Sequence, residues 1–283
     1  MLVAHEELPR QQVMIAIEEA GMQGATGALE VVGNPSGIIY LEGGHIAFAQ
    51  ASGVPGLAIR LLGIRPAPPG LQELVSGRGA EDHAAIAAHV IHRGYLTAAS
   101  LADLIHSIVL DAFMVLAMPW AADSPVSAIR FAAARTSYWP DLFPRLGIGP
   151  VREEAMRRAE RMADHRLAPT TAVALRSLAP PAAVLTRDQW TVACHINGPM
   201  PAVELAPRCG MSLADTVDCL GSLIWAGLCM PVRVGERQQL SSPAAGSARP
   251  SRAPAELALR VAQPTPPPLG LLRQVLQGLR KLS

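Results

Sequence analysis

The sequence predicts an α+β fold with two domains, followed by a linker and a terminal helix. Alternating aliphatic and aromatic residues with glycine turns between residues 26 and 49 are typical of short antiparallel strands. Apolar residues recur at helical spacing on both sides of that segment. The chain has 283 residues, 50% of them hydrophobic, which is enough for two separate cores.

Three antiparallel strands are predicted over residues 26–32, 37–41 and 45–49. Their aliphatic and aromatic side chains favour a half-buried pleated surface. The segment Glu42-Gly43-Gly44 joins the last two strands, and its glycine pair supplies the positive φ that a tight hairpin turn requires. Residues 56–62 predict a helix directly after the hairpin, with Leu57, Leu61 and Leu62 on one face.

This series of elements resembles a known bacterial domain. The TGxL strand from Thr26, the GxIYLEGGxIxxA hairpin from Gly37 and the glycine–leucine helix from Gly56 together resemble the PATAN domain, the PatA-amino-terminal-like domain of bacterial regulators. The family has no agreed chemistry, so the resemblance implies regulation and not a reaction. A charged helix at residues 151–166 is similar to the helix that often closes this domain. The first domain is therefore expected to span residues 1–166.

The other elements of the first domain are weaker patterns. Helices are predicted over residues 11–20, 81–92, 100–118 and 151–166, and a last strand over residues 128–131. Val13, Ile15 and Ile17 are expected to form the apolar side of the first helix. Ser100 is the expected N-cap of the long helix that ends near Met118.

Residues 167–240 predict a second unit of three helices and a small hairpin. Its helices are expected over residues 186–195, 203–209 and 213–225, and its strands over residues 227–234 and 237–240. Ser212 and Asp215 have the layout of a capping box, with Asp in place of the usual Glu or Gln. The order of elements resembles a winged-helix domain, and residues 203–228 are similar to the helix-turn-helix core of that superfamily.

The outward surface of the third helix discriminates between two candidate functions of this unit. With Leu213, Val217, Leu220 and Ile224 in the core, the outward residues are Ala214, Asp215, Asp218, Gly221, Ser222 and Trp225. This surface has two carboxylates and none of the Arg, Lys, Asn or Gln side chains that read base edges. It favours a protein-interaction module. The alternative is a DNA-binding transcription regulator that contacts phosphates through Arg208, Arg233 and Arg237.

The C-terminal part of the chain has a different composition. Residues 241–268 are rich in Pro, Ala and Ser, which predicts a disordered linker. Residues 269–283 predict a basic amphipathic helix, whose apolar stripe is Leu272, Val275, Leu276, Leu279 and Leu282. This stripe is expected to bind a protein partner or a second copy. The alternatives are docking on its own chain, disorder, and weak binding to a membrane surface.

Bulk properties indicate a cytoplasmic protein. The net charge of +1 gives no general attraction to nucleic acid or acidic membranes. The first ten residues lack the pattern of a signal peptide, and the apolar run from Leu104 to Trp120 is interrupted by His106 and Asp111. We therefore expect no stable membrane insertion. Four cysteines without a CxxC pair indicate reduced thiols.

No catalytic, cofactor or metal site is expected. His83, His89 and His92 are interpreted as a solvated or partly packed helix face, because no Glu or Cys ligand lies at zinc-binding spacing. His106 and Asp111 are interpreted as the polar edge of an amphipathic helix, and an acid–base pair formed by these two residues is the alternative.

The cysteines Cys194, Cys209, Cys219 and Cys229 all fall in the second unit. They are expected to be buried thiols, because Cys in an apolar helical context packs as a small hydrophobe. The function expected from the sequence is that of a non-catalytic regulatory adaptor with unidentified protein partners.

Overall fold

The chain contains both helices and antiparallel strands, which confirms the mixed α+β class. The computed structural model describes residues 9, 11–64, 68–78, 83–118, 126–133, 135, 145–165, 167–176 and 183–232. The chain divides into a unit of residues 1–241 and a unit of residues 242–283. The predicted tail helix, with Leu272, Val275, Leu276, Leu279 and Leu282, lies outside the described residues, as does the predicted linker.

Four strands form the first sheet. They are β1 (Gly27–Gly33), β2 (Gly37–Glu42), β3 (His45–Ala51) and β4 (Val126–Ala132), in the order β3-β2-β1-β4 and all antiparallel. Gly43 and Gly44 have φ values of 58° and 78°, which only glycine adopts readily. The predicted hairpin and the predicted last strand are confirmed.

Six helices surround this sheet among the described residues of the N-terminal part. They are α1 (Gln11–Met22), α2 (Leu57–Gly63), α3 (Leu71–Arg78), α4 (His83–His92), α5 (Ala98–Ala117) and α6 (Ile148–Asp164). Helix α3 was not predicted, because it has only eight residues and lies between a proline-rich loop and glycines. Its apolar side consists of Leu71, which is buried, and of Leu74 and Val75, which are partly buried. In α1, Val13, Ile17 and Ala20 face the core at helical spacing, whereas Ile15 is 44% exposed and its predicted core position is wrong.

Helix α5 is the central element of the core. It is buried without a break from Ile108 to Ala117 and packs against β3 and α6. Its N-cap is Thr97, which accepts a hydrogen bond from the N–H of Ser100, so the predicted cap at Ser100 is wrong. Within the described residues, α5 is the one helix long and apolar enough to cross a membrane by length and composition. Of the most apolar part of this helix, 61% is buried inside the protein.

The C-terminal part combines three helices with a second small sheet. Its elements are β5 (Ala172–Leu175), α7 (Arg187–His195), β6 (Met200–Pro201), α8 (Ala202–Cys209), α9 (Leu213–Trp225) and β7 (Cys229–Val232). The three predicted helices are present. Strand β7 confirms the first strand of the predicted hairpin, and residues 233–240 lie outside the described residues. Strands β5 and β6 were not predicted, and β5 lies between β6 and β7.

The described residues on both sides of position 166 share one hydrophobic cluster. Phe113 and Val151 from the N-terminal part belong to the same cluster as Leu205 and Leu213 from the C-terminal part. The proposed division into domains 1–166 and 167–240 stays a prediction. Whatever the division, the packing brings α8 and α9 against α2, α5 and α6.

Candidate functional site

The turn between α8 and α9 touches the N-terminal part of the protein through backbone atoms. Gly210 ends α8 in the left-handed conformation, with φ of 67°. A Cβ atom at Gly210 would lie 2.6 Å from the Cα of Gly63, the last residue of α2. Because no side chain fits between these two backbones, glycine is required at this contact.

The first turn of α9 is held by a side chain from α5. Asp111 is fully buried, and its Oδ2 accepts a hydrogen bond of 2.8 Å from the N–H of Leu213. Ser212 satisfies a second free donor of this helix end, because its Oγ accepts from the N–H of Asp215 at 2.9 Å. A residue one hundred positions away therefore helps to cap α9, and it fixes the helix end against α5.

Two arginines flank the buried carboxylate of Asp111. Arg60 Nη1 on α2 lies 3.7 Å from Asp111 Oδ2, and Arg158 Nη1 on α6 lies 3.6 Å from Asp111 Oδ1. These separations exceed the length of a good hydrogen bond. Arg158 is also held by Glu154, whose Oε1 accepts from Arg158 Nε at 3.0 Å. We call Arg60, Asp111 and Arg158 the buried charge cluster.

For the pKa values of both Asp111 and Arg60, the effect of burial outweighs the attraction between the opposite charges of the buried charge cluster. Burial raises the pKa of Asp111 to about 6, although the Leu213 N–H and both arginines lower it. Burial likewise lowers the pKa of Arg60 despite the nearby carboxylates of Asp111 and Asp215. Among the described atoms, Asp111 Oδ1 and Arg60 Nη1 are buried without a hydrogen-bond partner. The cluster therefore orients four helices at a cost in stability, as is common for buried ion pairs.

The buried position of Asp111 overturns one interpretation of the sequence. Asp111 is 0% exposed and does not lie at the polar edge of α5, whereas His106 is exposed. The two side chains therefore lie in different environments and do not form an acid–base pair. Neither Arg60 nor Arg158 was predicted from the sequence as part of a site. The available signal was the single charge inside the apolar run of residues 108–117, since a buried charge needs partners.

The outward face of α9 is acidic and aromatic. Asp215, Asp218, Ser222 and Trp225 are exposed at helical spacing, and the Trp225 side chain is 92% exposed. Leu213, Val217 and Leu220 are buried as predicted, together with Thr216 and Leu223. We call Asp215, Asp218, Ser222 and Trp225 the α9 face.

One residue expected on this face is buried. Gly221 packs under the imidazole of His165 at the C-cap of α6, where a Cβ atom would lie 2.5 Å from His165 Nδ1. The expected outward position of Gly221 is therefore wrong. His165 Nε2 also lies 3.9 Å from Asp218 Oδ1. This contact places α6 beside the α9 face.

The cations expected to contact DNA are only partly described. Arg208 is exposed in the last turn of α8, just before the Gly210 turn. Arg233 and Arg237 lie outside the described residues. The α9 face itself has no Arg or Lys, and its two carboxylates oppose the approach of a phosphate backbone.

The four cysteines differ in exposure. Cys229 is buried and Cys209 and Cys219 are half-buried, but Cys194 is exposed, which contradicts its predicted burial. Burial raises the pKa of Cys209 and Cys229 to about 11. Burial, followed by the charges of Asp188, Asp215 and Asp218, raises the pKa of Cys219 to about 12. These three thiols stay protonated and unreactive at neutral pH.

Two of the three histidines of α4, His83 and His89, are half-buried and contact their surroundings, whereas His92 is exposed. The ring of His83 lies 4.9 Å from that of Phe48, and His83 Nε2 is 2.5 Å from Gln50 Nε2. His89 Nε2 is 3.3 Å from the carbonyl oxygen of Pro69. In the described part of the chain, no group of three or more His, Cys, Asp or Glu residues is arranged to hold a metal ion.

The fold and this site define the chain as a mixed α+β protein with antiparallel sheets. Its clearest surface feature is the α9 face, which is acidic and aromatic. The helix that carries this face is held at its first turn by Asp111 of the buried charge cluster. No protein-family model, no curated protein and no solved structure matches the chain.

Proposed function

We propose that this protein is a non-catalytic bacterial regulator that binds another protein in the cytoplasm through the α9 face. The observation that carries the proposal is the exposure of Trp225 beside Asp215 and Asp218 on one side of α9. Exposed tryptophan is costly to leave in water and is enriched at the centres of protein interfaces. The neighbouring carboxylates favour a partner surface that carries Arg or Lys.

The finer architecture is part of the same proposal. Residues 1–166 would form a PATAN-like domain and residues 167–240 a winged-helix-like domain that serves as an adaptor. The contacts of Asp111 with Leu213 and of Gly63 with Gly210 support a module whose third helix is held by the N-terminal part. A held helix presents its outward face without a large ordering cost, which favours binding.

The alternative is a transcription regulator that binds DNA. Arg208 favours it, because this exposed cation stands at the end of α8 beside the helix-turn-helix turn. Arg233 and Arg237 would then supply further phosphate contacts from the predicted hairpin. The acidic α9 face argues against this reading, since the third helix is the one that would enter the major groove.

The deciding experiment captures partners of the tagged full-length protein in its native cells. We expect a partner protein to be recovered with the wild type, and to be lost with Trp225→Ala or Asp218→Arg. Trp190→Ala is the matched control, because Trp190 is 63% exposed on a different helix, α7. Crosslinking to DNA and sequencing form the second arm. Discrete DNA sites that vanish in an Arg208→Ala, Arg233→Ala, Arg237→Ala variant would establish the alternative.

The predicted tail helix is a second proposed partner-binding element. Its test is a separate substitution, Leu276→Asp with Leu279→Asp, in the same capture experiment. Loss of the partner with this variant, but not with Trp225→Ala, would assign recruitment to the tail instead of the α9 face.

A further inference from the structure

The chain contains two asparagines, and the residues that follow them differ in chemistry. Asn197 is followed by Gly198, and Asn34 is followed by Pro35. Asparagine is a thermolabile residue, because the backbone nitrogen of the next residue can attack its side-chain amide carbon. Glycine leaves that nitrogen unhindered, since it has no Cβ atom. Proline has no N–H to lose, so Asn34 is protected from the same reaction.

The structure leaves Asn197 open to this attack. It lies in the loop of residues 196–199 between α7 and β6, where Asn197 and Gly198 are both exposed. No described residue forms a hydrogen bond with either of them. A Cβ atom at Gly198 would meet nothing within 4 Å, so no other segment packs against that side of the glycine.

The backbone conformation of Gly198 explains why a glycine follows Asn197. The φ of Gly198 is 119°, which lies in a region that residues with a Cβ atom rarely adopt. Both ends of the loop are anchored, because Ile196 is 4% exposed and Met200 is 7% exposed. The chain therefore uses a glycine to turn between two buried residues. The same glycine removes the steric protection of Asn197.

We propose that Asn197 is a site of spontaneous deamidation in the folded protein. The backbone nitrogen of Gly198 loses its proton to water or hydroxide and forms a bond to Asn197 Cγ. The bond between Cγ and Nδ2 breaks, Nδ2 takes up a proton, and ammonia leaves a succinimide ring. Water then opens this ring at one of its two carbonyl carbons. Opening at Cγ gives aspartate, and opening at the backbone carbonyl carbon gives isoaspartate, whose peptide bond runs through Cγ.

The two products change the loop in different ways. Both carry a negative charge where the native protein has an amide. Isoaspartate also adds one carbon atom to the main chain between the buried residues Ile196 and Met200. Strand β6 begins at Met200, has two residues and pairs with Ala172 and Val173 of β5, so we expect isoaspartate to weaken this short pairing. None of these residues belongs to the α9 face, so the inference does not depend on the proposed function.

The test follows both asparagines by mass spectrometry after incubation of the full-length protein. Trypsin releases Asn197 in the peptide of residues 188–208 and Asn34 in the peptide of residues 11–60. We expect Asn197 to be converted many-fold faster than Asn34. The conversion should be several-fold faster under mildly alkaline than under mildly acidic conditions, because the attacking nitrogen must lose its proton. Digestion in heavy-oxygen water marks any conversion that occurs during digestion.

Two substitutions at the same position are the matched controls. Asn197→Gln has one more methylene, which disfavours ring closure, so an isoaspartyl-specific methyltransferase with labelled S-adenosylmethionine should label the incubated wild type and not this variant. Freshly purified Asn197→Asp has the new charge with an ordinary main chain. The isoaspartyl form of the wild type should therefore unfold at a lower urea concentration than Asn197→Asp.

Three results would contradict these expectations. The proposal is overturned if Asn197 stays intact in the folded protein while it is converted in urea. It is also overturned if Asn34 is converted as fast as Asn197, since Pro35 cannot supply the attacking nitrogen. Equal urea midpoints of the isoaspartyl form and Asn197→Asp would overturn the expected weakening of β6.

Discussion

Replacing Asp111 by asparagine tests whether burial or ion pairing dominates in the buried charge cluster. Asparagine has nearly the same shape, and its Oδ1 can still accept the hydrogen bond from the Leu213 N–H. The substitution therefore removes the charge and keeps the cap of α9. If the arginines stabilise the carboxylate, the pKa of Asp111 should lie below its ordinary value. Burial instead raises it from 3.8 to about 6.

The raised pKa of Asp111 sets the size and the sign of its contribution to the free energy of unfolding. One pKa unit corresponds to about 1.4 kcal/mol. The titration of Asp111 therefore lowers the free energy of unfolding by about 3 kcal/mol at pH 7.5 and by about 2 kcal/mol at pH 5, because the unfolded state releases this proton more readily. The pKa of Asp111 is higher in the folded state than in the unfolded state. Its contribution to the stability of the folded state is therefore fully present below pH 3.8 and is lost as the pH rises through 6.

Urea unfolding of both proteins at the two pH values isolates this contribution. Between pH 7.5 and pH 5 the wild type should gain about 1 kcal/mol more stability than Asp111→Asn, because the contributions of the other titrating groups are the same in both proteins and cancel. Asp103→Asn is the matched control, because Asp103 is exposed on the same helix. If the wild type instead loses stability relative to Asp111→Asn on acidification, the arginine pairs dominate and the reasoning is refuted.

Two further pairs of variants test the packing, each by urea unfolding. Gly210→Ala should lower the free energy of unfolding by about 3 kcal/mol, because the left-handed φ of Gly210 and its contact with Gly63 both exclude a Cβ atom. Gly94 also has a positive φ, of 68°, but a Cβ atom there would meet nothing within 4 Å, so Gly94→Ala should lower the free energy of unfolding by only about 1 kcal/mol. Equal losses would show that the contact between the α2 and α8–α9 backbones does not restrict this position. Met162→Ala should lower the free energy of unfolding by about 3 kcal/mol, since the Met162 side chain is 2% exposed. Met156 lies on the same helix and is 44% exposed, so Met156→Ala should lower the free energy of unfolding by only about 0.5 kcal/mol. Equal losses here would mean that α6 does not pack through the Met162 side.

The elements that the sequence predicts well depend on local signals. The Gly43–Gly44 turn requires positive φ, and the predicted cap Ser212 accepts a hydrogen bond from the N–H of Asp215, three residues later, at 2.9 Å. Both devices lie within four residues, so they can be read without knowing the fold. The exposed residues of the α9 face followed from helical periodicity for the same reason.

The missed features depend on contacts between distant segments. Gly221 looks outward on a helical projection, but His165 packs over it from another helix. Strands β5 and β6 have four and two residues, too few for a period, and they exist because β5 pairs with both neighbours. Asp111 lies beside Arg60 and Arg158 because α2, α5 and α6 pack together. A local sequence pattern can show that a residue such as Asp111 needs a partner, but it does not identify a partner from a distant segment.

The arrangement of these contacts links the interior of the protein to its proposed binding surface. Asp111 holds the first turn of α9, and His165 packs against the middle of the helix at Gly221. Trp225 is 92% exposed in the presence of both contacts, so they fix the orientation of the α9 face without covering this side chain. A partner then meets a preformed surface, and little of its binding free energy is spent on ordering the helix. Loosening the contact of Asp111 with Leu213 should therefore weaken partner binding even though neither residue is exposed.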